Sequence, residues 1–237
     1  MKNIAIIPAR SGTKSLKDKN IKMLNGKPLL EYSIRAAVDS GMFAQVHVST
    51  DSEVYANIAR ERGADVPFLR PEELATDDAD SWDVVRYVLK EYQKMEQYFD
   101  TVALLQPTSP FRNALDIIAA YQIYEQNRAN SVISLCEMEH TPLWSNVLPE
   151  NHSMKDFISA KNDVRRQDLP VYYRQNGAIY VVNVQLILNY GNLYGEDSYA
   201  YIMDQKRSVD IDTVDDFEYA EFLLEKAYVT GSSRLGE

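Results

Sequence analysis

The chain has 237 residues, room for one α/β domain with a modest insertion and a sizeable buried core. Its 35 acidic against 25 basic side chains give a formal net charge of -10. That balance argues against general nucleic-acid or membrane-surface binding, since both need positive fields. An anionic small molecule in a local basic pocket stays open. The lone cysteine, Cys136, can form no internal disulfide, and its apolar context predicts a buried, inert thiol. No apolar run approaches a signal peptide or membrane span, so a cytoplasmic protein is expected.

Short apolar runs alternate with amphipathic stretches. "NIAIIPA" predicts a first strand, and "KPLLEYSIRAAVDSG" a helix with Pro28 near its first turn and Gly41 at its end. "QVHVST" predicts a second strand, with Asp51 as N-cap of the helix "SEVYANIARERG". "DVPFL" reads as a short third strand, "DSWDVVRYVLKEYQKM" as a helix and "DTVALLQ" as a strand. "ALDIIAAYQIYEQN" is again helical, followed by the strand "SVISLCEM". This alternation predicts βαβ units and a parallel sheet covered on both faces. After Met138 the rhythm breaks into an irregular stretch carrying Pro142, Trp144, Pro149, Phe157 and Pro170, which reads as a lid, a subunit interface or a long packed loop. Regularity returns with the strand "GAIYVVN" and the helix "TVDDFEYAEFLLEKAYV", before the polar tail "TGSSRLGE".

The loop after the first strand gathers Arg10, Lys14, Lys17, Lys19 and Lys22 against Asp18 alone. Such crowding is unfavourable unless an anion sits among the cations. In parallel α/β sheets ligands bind beyond the carboxyl ends of the strands, which is where this loop lies. Arg10 offers a bidentate fork, Lys14 and Lys19 offer point charges, and Ser11 and Gly12 offer backbone N–H groups. Together they can hold a triphosphate. Neither G-x-x-x-x-G-K-[ST] nor G-x-G-x-x-G occurs, so neither a P-loop nor a dinucleotide fingerprint is supported. Farther on, "SVDIDTVDD" places Asp210 and Asp212 two residues apart, on one face if the backbone is a strand. They read either as a pair sharing one hard cation such as Mg²⁺ or as a turn in which Asp212 or Thr213 caps the last helix. Asp215 and Asp216 suit the positive end of that helix.

"IIPARSGTKSLKDKN" resembles the N-terminal signature of the CMP-sialic acid synthetases, the acylneuraminate and nonulosonate cytidylyltransferases, with Thr13 at a position where serine is common. The resemblance continues through "LNGKPLLEYSI", "VSTDSEVYANIARERGADVPFLRPEELATD", "LLQPTSPFR", "YYRQNGAIYV" and "SVDIDTVDDF", in order along almost the whole chain. It implies a Rossmann-like, three-layer nucleotidyltransferase fold with a mostly parallel sheet and an inserted dimerisation arm. A single domain over 1–229 is expected, with 139–172 as the dimerisation or lid segment and 230–237 as a flexible tail. Trp144, Leu148, Phe157 and Ile158 would supply the arm's apolar contacts.

The implied reaction joins the anomeric hydroxyl of an α-keto acid sugar to the α-phosphate of CTP and releases pyrophosphate, with Mg²⁺ as cofactor. By resemblance, Arg10, Lys14 and Lys19 hold the triphosphate and act in catalysis with Asp212. Ala9, Gly12, Thr13 and Asn20 complete the nucleotide loop, and Arg70 lies near the base. Gln106, in a turn stiffened by two prolines, belongs to the sugar pocket. Arg174, and second to it Arg166, would meet the sugar carboxylate as bidentate partners, with Asn176 and Tyr180 beside them. Without the resemblance, Arg165 and Arg166 could equally pair with Asp163 and Asp168. Asp210 and Asp212 become the metal ligands, and Asp212 or a hydroxide on the metal are the candidates for taking the hydroxyl proton. A homodimer is implied, and no nucleic acid or membrane. His47, His140 and His152 lack ligand spacing and receive no role. The alternatives are transfer to the eight-carbon sugar Kdo, a metal-dependent nucleotide-sugar glycosyltransferase, which would need no triphosphate cradle, and a silent nucleotide-binding module.

Overall fold

A computed structural model of the chain describes residues 1–13 and 16–229; Lys14 and the tail at 230–237 lie outside the described residues. The chain opens with β1 (Asn3–Pro8), in which Ile4 and Ile6 face one apolar cluster and Ala5 and Ile7 the other, all fully buried. Period-two alternation with both faces apolar is what a central strand requires. A small hairpin of β2 (Met23–Leu24) and β3 (Lys27–Pro28) leads into α1 (Leu29–Ser40), which ends at Gly41 as expected. There follow β4 (Gln45–Ser49), α2 (Glu53–Glu61), α3 (Ser81–Lys94), β5 (Thr101–Leu104), α4 (Ala114–Asn127) and β6 (Ser131–Glu137). Beyond the irregular stretch come β7 (Tyr173–Asn183), α5 (Val184–Leu188), β8 (Ser198–Met203) and α6 (Val214–Val229).

Among the described residues, six strands form one sheet in the order β4-β1-β5-β7-β6-β8. The pairs β1–β4, β1–β5 and β6–β8 are parallel, whereas β7 runs antiparallel to both neighbours. The reversal has a local cause. A parallel return needs a crossover, usually a helix. Between β6 and β7 the chain has only two one-turn 3-10 helices, Pro142–Trp144 and Arg166–Asp168, so it re-enters from the end it left. On one face of the sheet Leu30 and Ile34 of α1, Ala56 of α2 and Ile117 and Tyr121 of α4 form the core. On the other, Val85, Val88 and Leu89 of α3 pack with Val184 and Ile187 of α5. The three-layer arrangement is therefore present. A smaller cluster joins Leu24, Leu29, Phe111 and Ile211 to Phe217 and Ala220 of α6. Cys136 is buried, as its context predicts.

Several expectations are corrected. Ser52, not Asp51, caps α2, accepting the Tyr55 N–H, because Asp51 is drawn away to Ser11. "DVPFL" makes no third strand; only a single bridge joins His47 to Asp65, and the chain is then turned away by Pro67. Asp210 and Asp212 lie in an extended segment outside any strand, held by Ile211 N–H donating to the Thr108 carbonyl at 2.9 Å. Of the two candidate caps of α6, Thr213 is the one used, as one reading expected: its hydroxyl accepts the Asp216 N–H at 3.2 Å. The Asp216 carboxylate in turn accepts from the Thr213 hydroxyl and from the N–H groups of Thr213 and Asp212, and these bonds, the hydroxyl's first, lower its pKa. Residues 139–172 rise from a base where Met138 N–H meets the Tyr172 carbonyl, and they expose Val147, Leu148 and Met154. No helix among the described residues is long and apolar enough to cross a membrane.

Candidate active site

The carboxyl ends of β1, β4 and β5 open on one rim, and there the loop after β1 folds back as the wall of a cleft of about 330 Å³. Two contacts fix the loop's path. Asp51, just past β4, accepts the Ser11 N–H at 2.8 Å and the Ser11 hydroxyl at 2.5 Å. Burial alone would raise the Asp51 carboxyl, but these bonds, with the Arg70 charge, bring it below its ordinary value. Asn20, buried, donates to the Arg10 carbonyl at 3.0 Å and closes the loop from the other end. Between them Gly12 takes a left-handed φ of 65°, with open space around it.

Two of the crowded cations have carboxylate partners in the fold. Arg10 pairs with Asp77, and the buried Lys19 ammonium meets Asp212 Oδ1 at 2.9 Å. Arg10, Thr13, Lys19, Asn20, Arg70, Gln106, Asp210 and Asp212 all line the same cleft, so the fold gathers eight residues from four distant stretches of sequence. Thr13 donates to the Leu16 carbonyl and receives the Lys19 N–H, holding the turn rather than standing free. Arg70 is buried with its guanidinium spread over Ser49 and the Leu74 carbonyl, at 2.7 to 3.3 Å. Burial lowers it to about 10, so it remains a cation at neutral pH. Ala9 lies beneath the loop, fully buried, its N–H on the Ser49 carbonyl.

Opposite the loop, Asp210 is raised above the ordinary carboxylate range, first by its crowded surroundings and then by the Asp212 charge. A hydrogen bond with Thr108 and the charges of Lys19 and Arg174 work the other way. Two carboxylates so placed make a hard-oxygen donor set, which fits a divalent cation shared with phosphate oxygens. Among the described residues no cluster of three or more metal-ligating side chains exists, so phosphate or water oxygens would have to complete the shell.

The expected sugar-binding residues divide. Gln106 is on the cleft wall. Arg174 lines an adjoining cavity of about 480 Å³ that shares Asp210 with the cleft, next to Lys206 and Glu139. Tyr180 packs edge-on against Trp82 at 5.8 Å, and burial, then Tyr194 and Asp210, raise its phenol. The Asn176 amide is committed inside the fold, to Ser134, Ser208 and Met203. Arg166 stands exposed on the irregular segment, 3.7 Å from Glu137 and outside both cavities. Sequence reasoning missed Asp77, Asp51 as a loop anchor, and the buried pair Arg112 and Asp116. The run "TDDADS" was the available signal for Asp77, a dense set of acids in a chain whose basic loop needs counter-charge.

A parallel α/β rim with a cationic loop after β1 and a carboxylate pair facing it is the construction of a nucleotide-binding α/β protein. Residues 4–234 match the sequence profile of the cytidylyltransferases, and the chain belongs to that family. It is 41% identical over 220 residues to an N-acylneuraminate cytidylyltransferase of Streptococcus agalactiae serotype V, covering 92% of this chain and 52% of that protein. The chain thus spans about half the length of the first such relatives. It is 36% identical to the CMP-N,N'-diacetyllegionaminic acid synthase of Legionella pneumophila, covering 95% of this chain and 97% of that one. In fold it is similar to a CMP:2-keto-3-deoxy-manno-octonic acid synthetase solved with CTP. The TM-score is 0.72 at 16% identity, over 95% of this chain and 99% of that one.

Proposed function

We propose that this chain transfers CMP from CTP to the anomeric hydroxyl of a nonulosonic acid, releasing pyrophosphate. The observation that carries the reading is the single cleft in which Arg10 and Lys19 face Asp210 and Asp212, with Gln106 on its wall. A cationic wall alone would bind any polyanion. The carboxylates opposite it, and the relatives' shared transfer of a cytidylyl group to acidic sugars, narrow the choice.

In this reading the triphosphate displaces Asp77 from Arg10, and Lys19 exchanges part of its contact with Asp212 for phosphate oxygens. Both cations then neutralise charge that builds on the departing pyrophosphate. The sugar hydroxyl oxygen forms the new bond to the α-phosphorus as the bond to the β-phosphate bridging oxygen breaks in line. Its proton leaves to a base in the cleft, the candidates being Asp212, through an oxygen not given to the cation, and a hydroxide held there. Gln106 orients the sugar, and Arg174, from the adjoining cavity, holds its carboxylate. Asp210 and Asp212 would hold Mg²⁺, which when bound screens the phosphate oxygens and polarises the α-phosphorus. Segment 139–172 is the dimerisation arm, in which the exposed Leu148, with Val147 and Met154 beside it, and the half-buried Trp144, Phe157 and Ile158 supply the apolar contacts, and the protein works in the cytoplasm as a homodimer.

The test is pyrophosphate release from CTP with Mg²⁺ across N-acetylneuraminate, legionaminate, pseudaminate, the deaminated analogue and Kdo. Turnover with one nonulosonate and none with Kdo is expected. Turnover with Kdo alone would replace the acceptor, and silence across the panel would defeat the reading. Sedimentation of the parent and of a Val147→Asp/Leu148→Asp variant tests the arm, the variant being expected to run as a monomer.

A further inference from the structure

Arg112 is 2% exposed and does not line the cleft. A guanidinium taken out of water is retained where its donors and its charge are met. Its Nε donates to the Ala178 carbonyl at 3.1 Å, and Nη2 donates to the Gln106 carbonyl at 3.0 Å and to the Ser33 hydroxyl at 2.7 Å. The Ser33 hydroxyl donates in turn to the same Gln106 carbonyl at 3.3 Å. One planar group therefore ties the turn after β5 to β7 and to α1. Buried Asp116 supplies the opposing charge and is itself held by Tyr201 and Arg207. Nη1 has no partner among the described residues, so the fork is aimed by the carbonyls it does reach.

The side chain of Gln106 is placed by a second device. Gly177, the residue before Ala178, has a φ of 74°. A Cβ at this position would stand 2.5 Å from Gln106 Oε1 and 3.5 Å from the Ser109 hydroxyl. The space a side chain would fill is the space the Gln106 amide uses. Backbone and amide of Gln106 are thus set separately, the first by Arg112 and the second by Gly177.

We propose that Arg112 is a positioning residue for Gln106, with Gly177 giving the amide its seat, so that acceptor recognition depends on a guanidinium outside the cleft. The inference rests on the reading of Gln106 as an acceptor ligand. An arginine acting only as a structural staple would, when weakened, lower stability and impair both substrates together. A positioning arginine predicts an effect confined to the acceptor.

The experiment compares Arg112→Lys, Gly177→Ala, Gln106→Ala and the Arg112→Lys/Gln106→Ala double variant. Steady-state kinetics use the nonulosonate that gives turnover in the panel, and CTP binding with Mg²⁺ is titrated calorimetrically. Lysine keeps the charge but cannot reproduce the fork. Arg112→Lys and Gly177→Ala should each raise the acceptor KM about tenfold while the Kd for CTP changes less than about twofold. Arg112→Lys should add nothing further to Gln106→Ala. If Arg112→Lys fails to fold, Ser33→Ala takes its place with the same expectation, since it removes only the neutral hydroxyl that Arg112 Nη2 and the Gln106 carbonyl share. Equal loss of CTP and acceptor binding overturns the proposal. So does a defective Gln106→Ala beside normal Arg112→Lys and Gly177→Ala, which leaves the reading of Gln106 standing. An unchanged acceptor KM in Gln106→Ala overturns that reading and the proposal with it.

Discussion

His47 makes stability sharply dependent on pH. It sits on β4, fully buried, with Nδ1 3.2 Å from the Tyr92 hydroxyl and its ring 5.0 Å from that of Phe68. Its Nε2 has no hydrogen-bond partner among the described residues, and the cation of Arg70 lies near. Burial first, and Arg70 second, push its pKa from 6.5 down to about 3. The folded chain therefore holds His47 neutral where the unfolded chain takes up a proton. Stability from this group is complete above the unfolded value and is lost progressively as pH falls from there through the folded one. Between pH 7.5 and pH 5 the linkage relation gives a loss of about 2 kcal/mol, or roughly 4 to 8 °C in Tm for a chain of this size. Asp51 and Asp216, whose pKa values are lowered, add their losses at more acid pH. Thermal unfolding followed by circular dichroism at the two pH values, for the parent and for His47→Asn, measures the difference. The variant should start less stable and change little between them. A variant whose Tm falls by as much as the parent's would refute the assignment to His47.

Other expectations concern the cleft and its supports. Arg10→Ala and Asp212→Ala should each reduce turnover with CTP by about a hundredfold or more, measured as pyrophosphate release, and near-full activity in both would defeat the proposed chemistry. Asp51→Ala frees Ser11 and should raise the KM for CTP about tenfold, with the acceptor KM little changed. Thr213→Ala removes the cap of α6 and should cost about 1 kcal/mol, read from urea unfolding at constant slope. A loss below a few tenths would mean that the Asp216 carboxylate alone secures that helix end.

Much of the architecture is legible in the chain, because strands buried on both faces appear as unbroken apolar runs, as in β1 and β5. The same property conceals direction: the run in β7 reads identically whichever way it crosses the sheet. β8 escaped notice because it is an edge strand whose Tyr199 and Ile202 remain exposed, so its pattern resembles a loop. The cationic loop announces itself by charge. Its partners do not, since Asp77 and Asp212 are brought to it only by tertiary folding. Arg112 is harder still, because nothing local distinguishes an arginine that will be buried from one that will be solvated.

The placement of β7 has a consequence for how the chain is made. It lies between β5 and β6 and pairs with both, yet it is synthesised after both. Until Asn183 has emerged from the ribosome, the inner edge of β5 presents unpaired N–H and carbonyl groups, flanked by Val102 and Leu104, and β6 has no neighbour on either side, since β8 is made later still. The part of the cleft built from Arg10, Lys19 and Arg70, early in the chain, is thus made before the strand that completes the sheet beside it. A nascent or truncated product ending before Tyr173 would carry the open β5 edge and a wholly unpaired β6, and would invite pairing with its neighbours on the polysome, so the irregular segment's length bears on how long that hazard lasts.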